Sequence, residues 1–215
     1  MGRSPQPRRE TGHGRRPCPH TGESPYASGM TSARDTRLLD ASEKCIAVFV
    51  ARNSTDITVT ELCATIGLAE RTFYRYFPTK AQTILPVFEE MTRRFAASVE
   101  SGPQPLVTAL HDAFVANVIG LAAGDVVTFF RLIRADHDLW SSFLEVIQRA
   151  ELALAAPIGR RLGHDPGDIG SRAGAIAVVS ASRLALEAAA MDGADPVEVF
   201  DAYVAAFGRS VLPRG

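Results

Sequence analysis

Residues 70 to 76 read Glu-Arg-Thr-Phe-Tyr-Arg-Tyr, and a helical period puts Phe73 on one side of this run, with Glu70, Arg71, Thr72, Tyr74 and Arg75 projecting outward or sideways. A forked guanidinium, a carboxylate and hydroxyls along one edge of a helix are suited to a DNA major groove, which admits an α-helix and shows each base pair as a pattern of donors and acceptors. Arg71 is the candidate for a guanine contact, because two of its N–H groups match O6 and N7. Glu70 either accepts from cytosine N4 or stands as a solvated carboxylate near a helix start. Thr72, Tyr74 and Tyr76 carry hydroxyls that can donate to phosphates, as do Thr58 and Thr60 beside the exposed N–H groups of a preceding helix. Lys80 is a further candidate for a phosphate, against the alternative of a solvated surface charge.

Such a helix has to be held at a fixed angle, and the residues before it are written for that. Leu62 and Ile66 share a face of a short helix, and Cys63 is small where a second helix must approach. Gly67 can take the positive φ that ends a helix, and Leu68 packs across the turn. Phe73, with Tyr76 or Phe77, then lies on the inner side of the next helix. Further upstream, Leu38, Ser42, Cys45, Ile46, Phe49 and Val50 form one face of a first helix that starts at Thr36 and ends near Arg52–Asn53, with a turn over Asp56 to Thr58.

With those residues in place, the run from Thr60 to Lys80, centred on Thr72-Phe-Tyr-Arg-Tyr-Phe77 and closed by Pro78-Thr79-Lys80, closely resembles the DNA-binding signature of TetR-family repressors. The resemblance implies an all-α chain of about nine helices: an N-terminal three-helix helix-turn-helix domain and a C-terminal helical domain for ligand binding and dimerisation. It implies phosphate contacts from Thr58, Thr60, Thr72, Tyr74 and Lys80 and base readout by Glu70 and Arg71. Cys63 departs from the alanine such motifs commonly hold and is a tolerated small residue. The domain boundaries expected are a disordered basic arm over 1–35, the helix-turn-helix over 36–82 and the rear domain over 83–212.

Behind the motif the period stays helical. A long helix is expected from Lys80 to Ser101, ended by Gly102, Pro103 and Pro105, then one marked by Leu106, Leu110, Phe114 and Leu121, one from Asp125 to Arg134 and one from about Asp138 to Leu162. Asp165-Pro166 and Asp195-Pro196 each place an N-cap acceptor before a proline at the first helical position, opening helices over 166–191 and 196–210. An effector pocket requires an apolar cavity with a few orienting polar groups, and the candidates are Phe88, Met91, Phe95, Phe114, Asn117, Phe129, Phe130, Arg134, His137 and Trp140. Arg131, Arg134 and His137 would suit an acidic ligand if they face inward. The small and apolar faces of the last two helices, with Ala173, Ile176, Ala177, Ser180, Ala181, Leu184, Tyr203 and Phe207, are the expected homodimer interface or else an internal core face. The stretch from Phe129 to Phe207 faintly resembles actinobacterial regulators of the mycofactocin type, which implies an unidentified, largely apolar effector of acyl-CoA-like character.

Composition narrows the alternatives. The chain has 215 residues, 46% hydrophobic and 22% charged, enough to bury a core. Its net charge of −1 is unevenly spread: residues 1–37 hold seven arginines against Glu10, Glu23 and Asp35, and the excess of acid lies after residue 80. A basic front and an acidic rear suit a protein that presents one end to double-stranded DNA. The Pro- and Arg-rich stretch over 1–29 is an arm for phosphates or the minor groove, a passive tail, or sequence upstream of a true start at Met30. No run approaches the roughly 18 uncharged apolar residues of a membrane span, so a cytoplasmic location is expected. Cys18, Cys45 and Cys63 show neither disulfide nor zinc spacing, and Cys45 and Cys63 are expected as small core residues. No cofactor or metal is implied. The rival classes are an activator of the same fold, or a helical ligand-binding protein or enzyme without DNA activity. Against an enzyme stand scattered histidines and the lack of a Gly-rich phosphate loop, an H-E-x-x-H or a G-x-S-x-G.

Overall fold

In the computed structural model, which describes residues 32–120 and 125–208, every regular element is helical: nine α-helices and one short 3₁₀ turn among the described residues. Helix α1 (Ala33–Arg52) begins three residues before the expected Thr36. Ser32 Oγ accepts from Asp35 N–H while the Asp35 carboxylate accepts from Ser32 N–H, a reciprocal cap that satisfies donors the first turn would otherwise leave unpaired. The expected arm over 1–35 therefore gives up its last residues to α1, and the rest of it lies outside the described residues. Asn53 ends α1 in the left-handed region at φ 46°.

Helices α2 (Val59–Ile66) and α3 (Glu70–Tyr76) pack on α1 around Cys45, Phe49, Ile57, Leu62, Phe73 and Phe77, a small core of its own. Burial pushes the Cys45 thiol up to about 12, with Cys63 adding to it, and burial likewise raises Cys63. Both cysteines stay neutral thiols and act as small apolar residues.

The helix expected from Lys80 does not start there. Residues Ala81–Ile84 form the 3₁₀ turn, and α4 proper runs over Leu85–Ser101 with Pro86 in its first turn. Pro86 has no N–H to give the carbonyl four residues back, and its ring crowds that carbonyl, so the α ladder cannot pass through it and restarts. Helix α5 (Leu106–Gly120) follows, then α6 (Asp125–Ala135) and the long α7 (His137–Leu162), whose first amides are capped by Asp136 Oδ1 at 3.0 and 3.1 Å. Arg161 on α7 donates to the carbonyls of Val99, Gly102 and Gln104, clamping the end of α4 and the linker beyond it.

Helix α8 (Ile169–Asp192) also starts later than the sequence suggests. Asp168, not Asp165, occupies its cap position, and the Asp168 carboxylate accepts from Asp165 N–H at 3.2 Å while Ser171 Oγ donates to Asp165 C=O. Pro166 thus belongs to a turn before the helix. Helix α9 (Pro196–Gly208) is capped by Asp195 Oδ1 as its dipeptide suggests. By length and composition α8 could cross a membrane, but half of its apolar window is buried inside the chain, and the helix as a whole carries Arg172, Arg183 and Glu187.

Two further cores lie behind the first. One, around Phe88, Phe129, Phe130, Phe143 and Ile133, joins α4, α6 and α7 and reaches Ile46 of α1. The other, around Val99, Leu110, Phe114, Ile158, Val178 and Phe200, joins α4, α5, α7, α8 and α9.

Candidate nucleic-acid interface and internal cavity

Helix α2 opens with Thr58, whose hydroxyl accepts from Glu61 N–H and donates to the Glu61 carboxylate at 2.7 Å. Hydrogen bonds from the Thr58 hydroxyl and amide hold the Glu61 carboxyl below its ordinary range. The Thr58 hydroxyl proton is therefore committed to the cap, while Thr60 two residues on is exposed. Gly67 closes α2 at φ 70°, a conformation that costs a side-chain-bearing residue about 1–2 kcal/mol. The chain then turns through Leu68 and Ala69 into α3.

On α3 the two faces differ completely. Phe73 is fully buried and meets Phe77 edge-on at 5.2 Å, while Tyr74 is 53% exposed and Glu70, Arg71 and Arg75 face solvent. Thr72 and Tyr76 are half-buried, and the Arg75 guanidinium lies 5.4 Å over the Tyr76 ring.

Lys80 is placed otherwise than a free phosphate ligand would be. Its ammonium donates to Thr55 C=O at 2.8 Å and Ile57 C=O at 3.3 Å, bracing the loop before α2 with two of its three donors. The same loop reaches the rear body: Thr55 Oγ1 donates to Asp136 at 2.8 Å, and Arg131 donates to Asn53 Oδ1 at 3.2 Å. Burial by itself would raise the Asp136 carboxyl. The bonds from Leu139 N–H, Thr55 Oγ1 and Asp138 N–H, with the Lys80 charge, outweigh it and hold the carboxyl below its usual range. Sequence reasoning missed this seam, since Thr55 and Asp136 are 81 positions apart.

An apolar cavity of about 90 Å³ lies between α4, α5, α7 and α8. Of the ten expected pocket residues, Phe88, Met91, Phe95, Phe114 and Asn117 line it. The other five do not. Phe129 and Phe130 are buried in the core against α4 and α7, Arg134 stacks outward over Trp140 at 4.2 Å, and His137 is exposed at the start of α7. The rotation of α6 explains this: it turns Val126 toward the cavity, Phe129, Phe130 and Ile133 into the core, and Arg131 and Arg134 to solvent. Residues that sequence reasoning missed include Phe143 and Val146 of α7 and Ser182 and Arg183 of α8. Arg183 sits in a helix otherwise read for its small residues, and only the fold brings it to the cavity wall.

No protein-family model and no curated protein matches the chain. Among solved structures it is similar to a protein from Mesorhizobium loti MAFF303099 assigned to the TetR family of transcriptional regulators. The two are 16% identical with a TM-score of 0.55, over 83% of this chain and 98% of the other. The fold is TetR-like.

On the TetR-like rear body, the face expected for dimerisation is split. Ile176 is 43% exposed, and Ala173, Ser180, Leu184, Tyr203 and Phe207 are half-buried, leaving an open strip along α8 and α9. Ala177 and Ala181 are instead buried within the chain, because α8 uses its small residues to approach its own neighbours closely.

Proposed function

We propose that this chain is a sequence-specific, DNA-binding transcriptional regulator, a homodimeric repressor released from a palindromic operator by a small, largely apolar ligand. The observation that carries the reading is the two-sidedness of α3: Phe73 fully buried behind, and Glu70, Arg71, Tyr74 and Arg75 in solvent in front. In this reading Arg71 reads guanine and Glu70 reads cytosine. Thr60, Thr72, Tyr74 and Tyr76 hold phosphates, Arg75 adds a cation at the groove edge, and Lys80 serves mainly by fixing the loop that sets α2. Two copies joined through α8 and α9 set their α3 helices about 34 Å apart, one turn of the duplex.

Release follows from the position of α6. Val126 on that helix lines the cavity and Leu132 belongs to the core under α2 and α3, so a ligand that displaces α6 acts on both within one helix length. A coupling of about 1–3 kcal/mol lowers operator affinity roughly 5- to 150-fold. The residues over 83–208 then form the effector and dimer domain.

The test is a gel shift of the purified protein on the region upstream of its own gene. Expected are a retarded complex with a palindromic footprint and steep weakening between low and high salt. Failure to retard duplex DNA at low salt, on that region or on a random-sequence pool, would sink the reading.

A further inference from the structure

We infer that the cavity between α4, α5, α7 and α8 takes an amphipathic carboxylate, with its hydrocarbon tail among Phe88, Phe95, Phe114 and Phe143 and its head on the Arg183 guanidinium; this rests on reading the cavity as the effector site.

Among the described lining residues Arg183 is the sole charged group, and its side chain is about three-quarters buried. Its single partner there is Glu187 on the same helix, bonded through Nη1 at 2.7 Å, and no hydrogen bond among the described residues uses Nε or Nη2. A guanidinium carries five N–H donors in a planar fork that fits a carboxylate in two bonds, so the unused edge can accept one. The remaining polar lining donates to backbone carbonyls, Thr92 and Ser182 within their own helices and Asn117 of α5 across to α4. Thr92 Oγ1 donates to Phe88 C=O at 2.9 Å, Asn117 Nδ2 to Met91 C=O at 3.1 Å and Ser182 Oγ to Val178 C=O at 3.0 Å. The cavity thus offers hydrocarbon and one set of charged donors. A neutral tail that closed the cavity would strip water from Arg183 and return nothing, and a cationic head would meet like charge. A carboxylate replaces the lost water, in competition with Glu187.

That competition gives the experiment its signs. Trp140 lies 5.4 Å from Phe143, which lines the cavity, so its fluorescence follows titration of the full chain with three probes of equal tail: decanoate, decan-1-ol and decylammonium. Decanoate is expected to bind about tenfold or more tighter than decan-1-ol, and decylammonium weakest. Arg183→Gln erases the advantage of decanoate and leaves decan-1-ol unchanged. Glu187→Gln shifts decanoate the other way, to tighter binding. Equal affinity for decanoate and decan-1-ol, or decanoate binding indifferent to both substitutions, overturns the head-group assignment and leaves the cavity as an apolar site. If none of the three probes binds, the effector-site reading itself falls. Decan-1-ol binding shows that Arg183→Gln is folded; if it is not, the sign of the Glu187→Gln change decides.

Discussion

In α1 to α3 the groups with chemistry to perform face solvent, and a knot of buried side chains (Phe49, Leu62, Phe73 and Phe77) holds them from behind. In the rear body the arrangement is inverted. Helices of up to 26 residues line an apolar cavity, and the group with chemistry to perform, Arg183, is part of its wall, on a helix whose other residues are mostly small. The first design suits a partner far larger than the protein, which must be met by a rigid edge. The second suits a small partner that has to be enclosed, and a space not packed to interior density is one that a ligand can enter and deform.

Substitutions that strike one region and spare the other sharpen this contrast. The largest effect is expected from Phe73→Ala. Truncating a fully buried aromatic costs about 3–5 kcal/mol and removes the back support of α3, so chemical denaturation should show a large loss and operator binding should disappear. If Phe73→Ala binds operator normally, α3 is not held in the way described.

Arg71→Ala acts on the exposed side of the same helix. It should leave the denaturation midpoint unchanged, cost about 1–3 kcal/mol of operator affinity and relax selectivity at one base pair. Equal losses on specific and random duplexes would make Arg71 a phosphate contact.

The rear counterpart is Ala150→Leu, which projects a larger side chain into the cavity. Overpacking costs up to about 1–3 kcal/mol, and the expected outcome is a protein that still binds operator but is no longer released by a cavity ligand. Unimpaired release would place the effector elsewhere.

The smallest effect concerns the α5–α9 contact, where His111 Nδ1 lies 2.9 Å from the Asp201 carboxylate. The hydrogen bond to Asp201 raises the His111 pKa above its ordinary 6.5, with some desolvation opposing. A raised folded value means that the stabilisation is complete below about pH 6.5 and fades as pH climbs through the elevated value. Both groups are more than one-third exposed, so screening limits the gain to about 0.2–1 kcal/mol. The difference in denaturation midpoint between the wild type and His111→Ala should be seen at pH 6 and vanish at pH 9. A difference that persists at pH 9 would assign it to packing.

What the sequence determined by itself is the local part: Leu62, Cys63, Gly67 and Phe73 set two short helices and a turn by spacing alone. The outward position of Arg71 follows from the inward position of Phe73, because residues within a turn or two of one another are tied by the helical period. The tertiary structure decided what depends on how distant helices rotate and meet. It turned Phe129 and Phe130 into core and Arg134 outward, sent Lys80 to the loop at Thr55, and took Ala177 and Ala181 into the chain's own interior. It also brought Arg183 to a cavity shared with residues nearly a hundred positions away. A helical period gives each helix its apolar side but not the neighbour that side will face, and that choice is made by the packing of all the helices together.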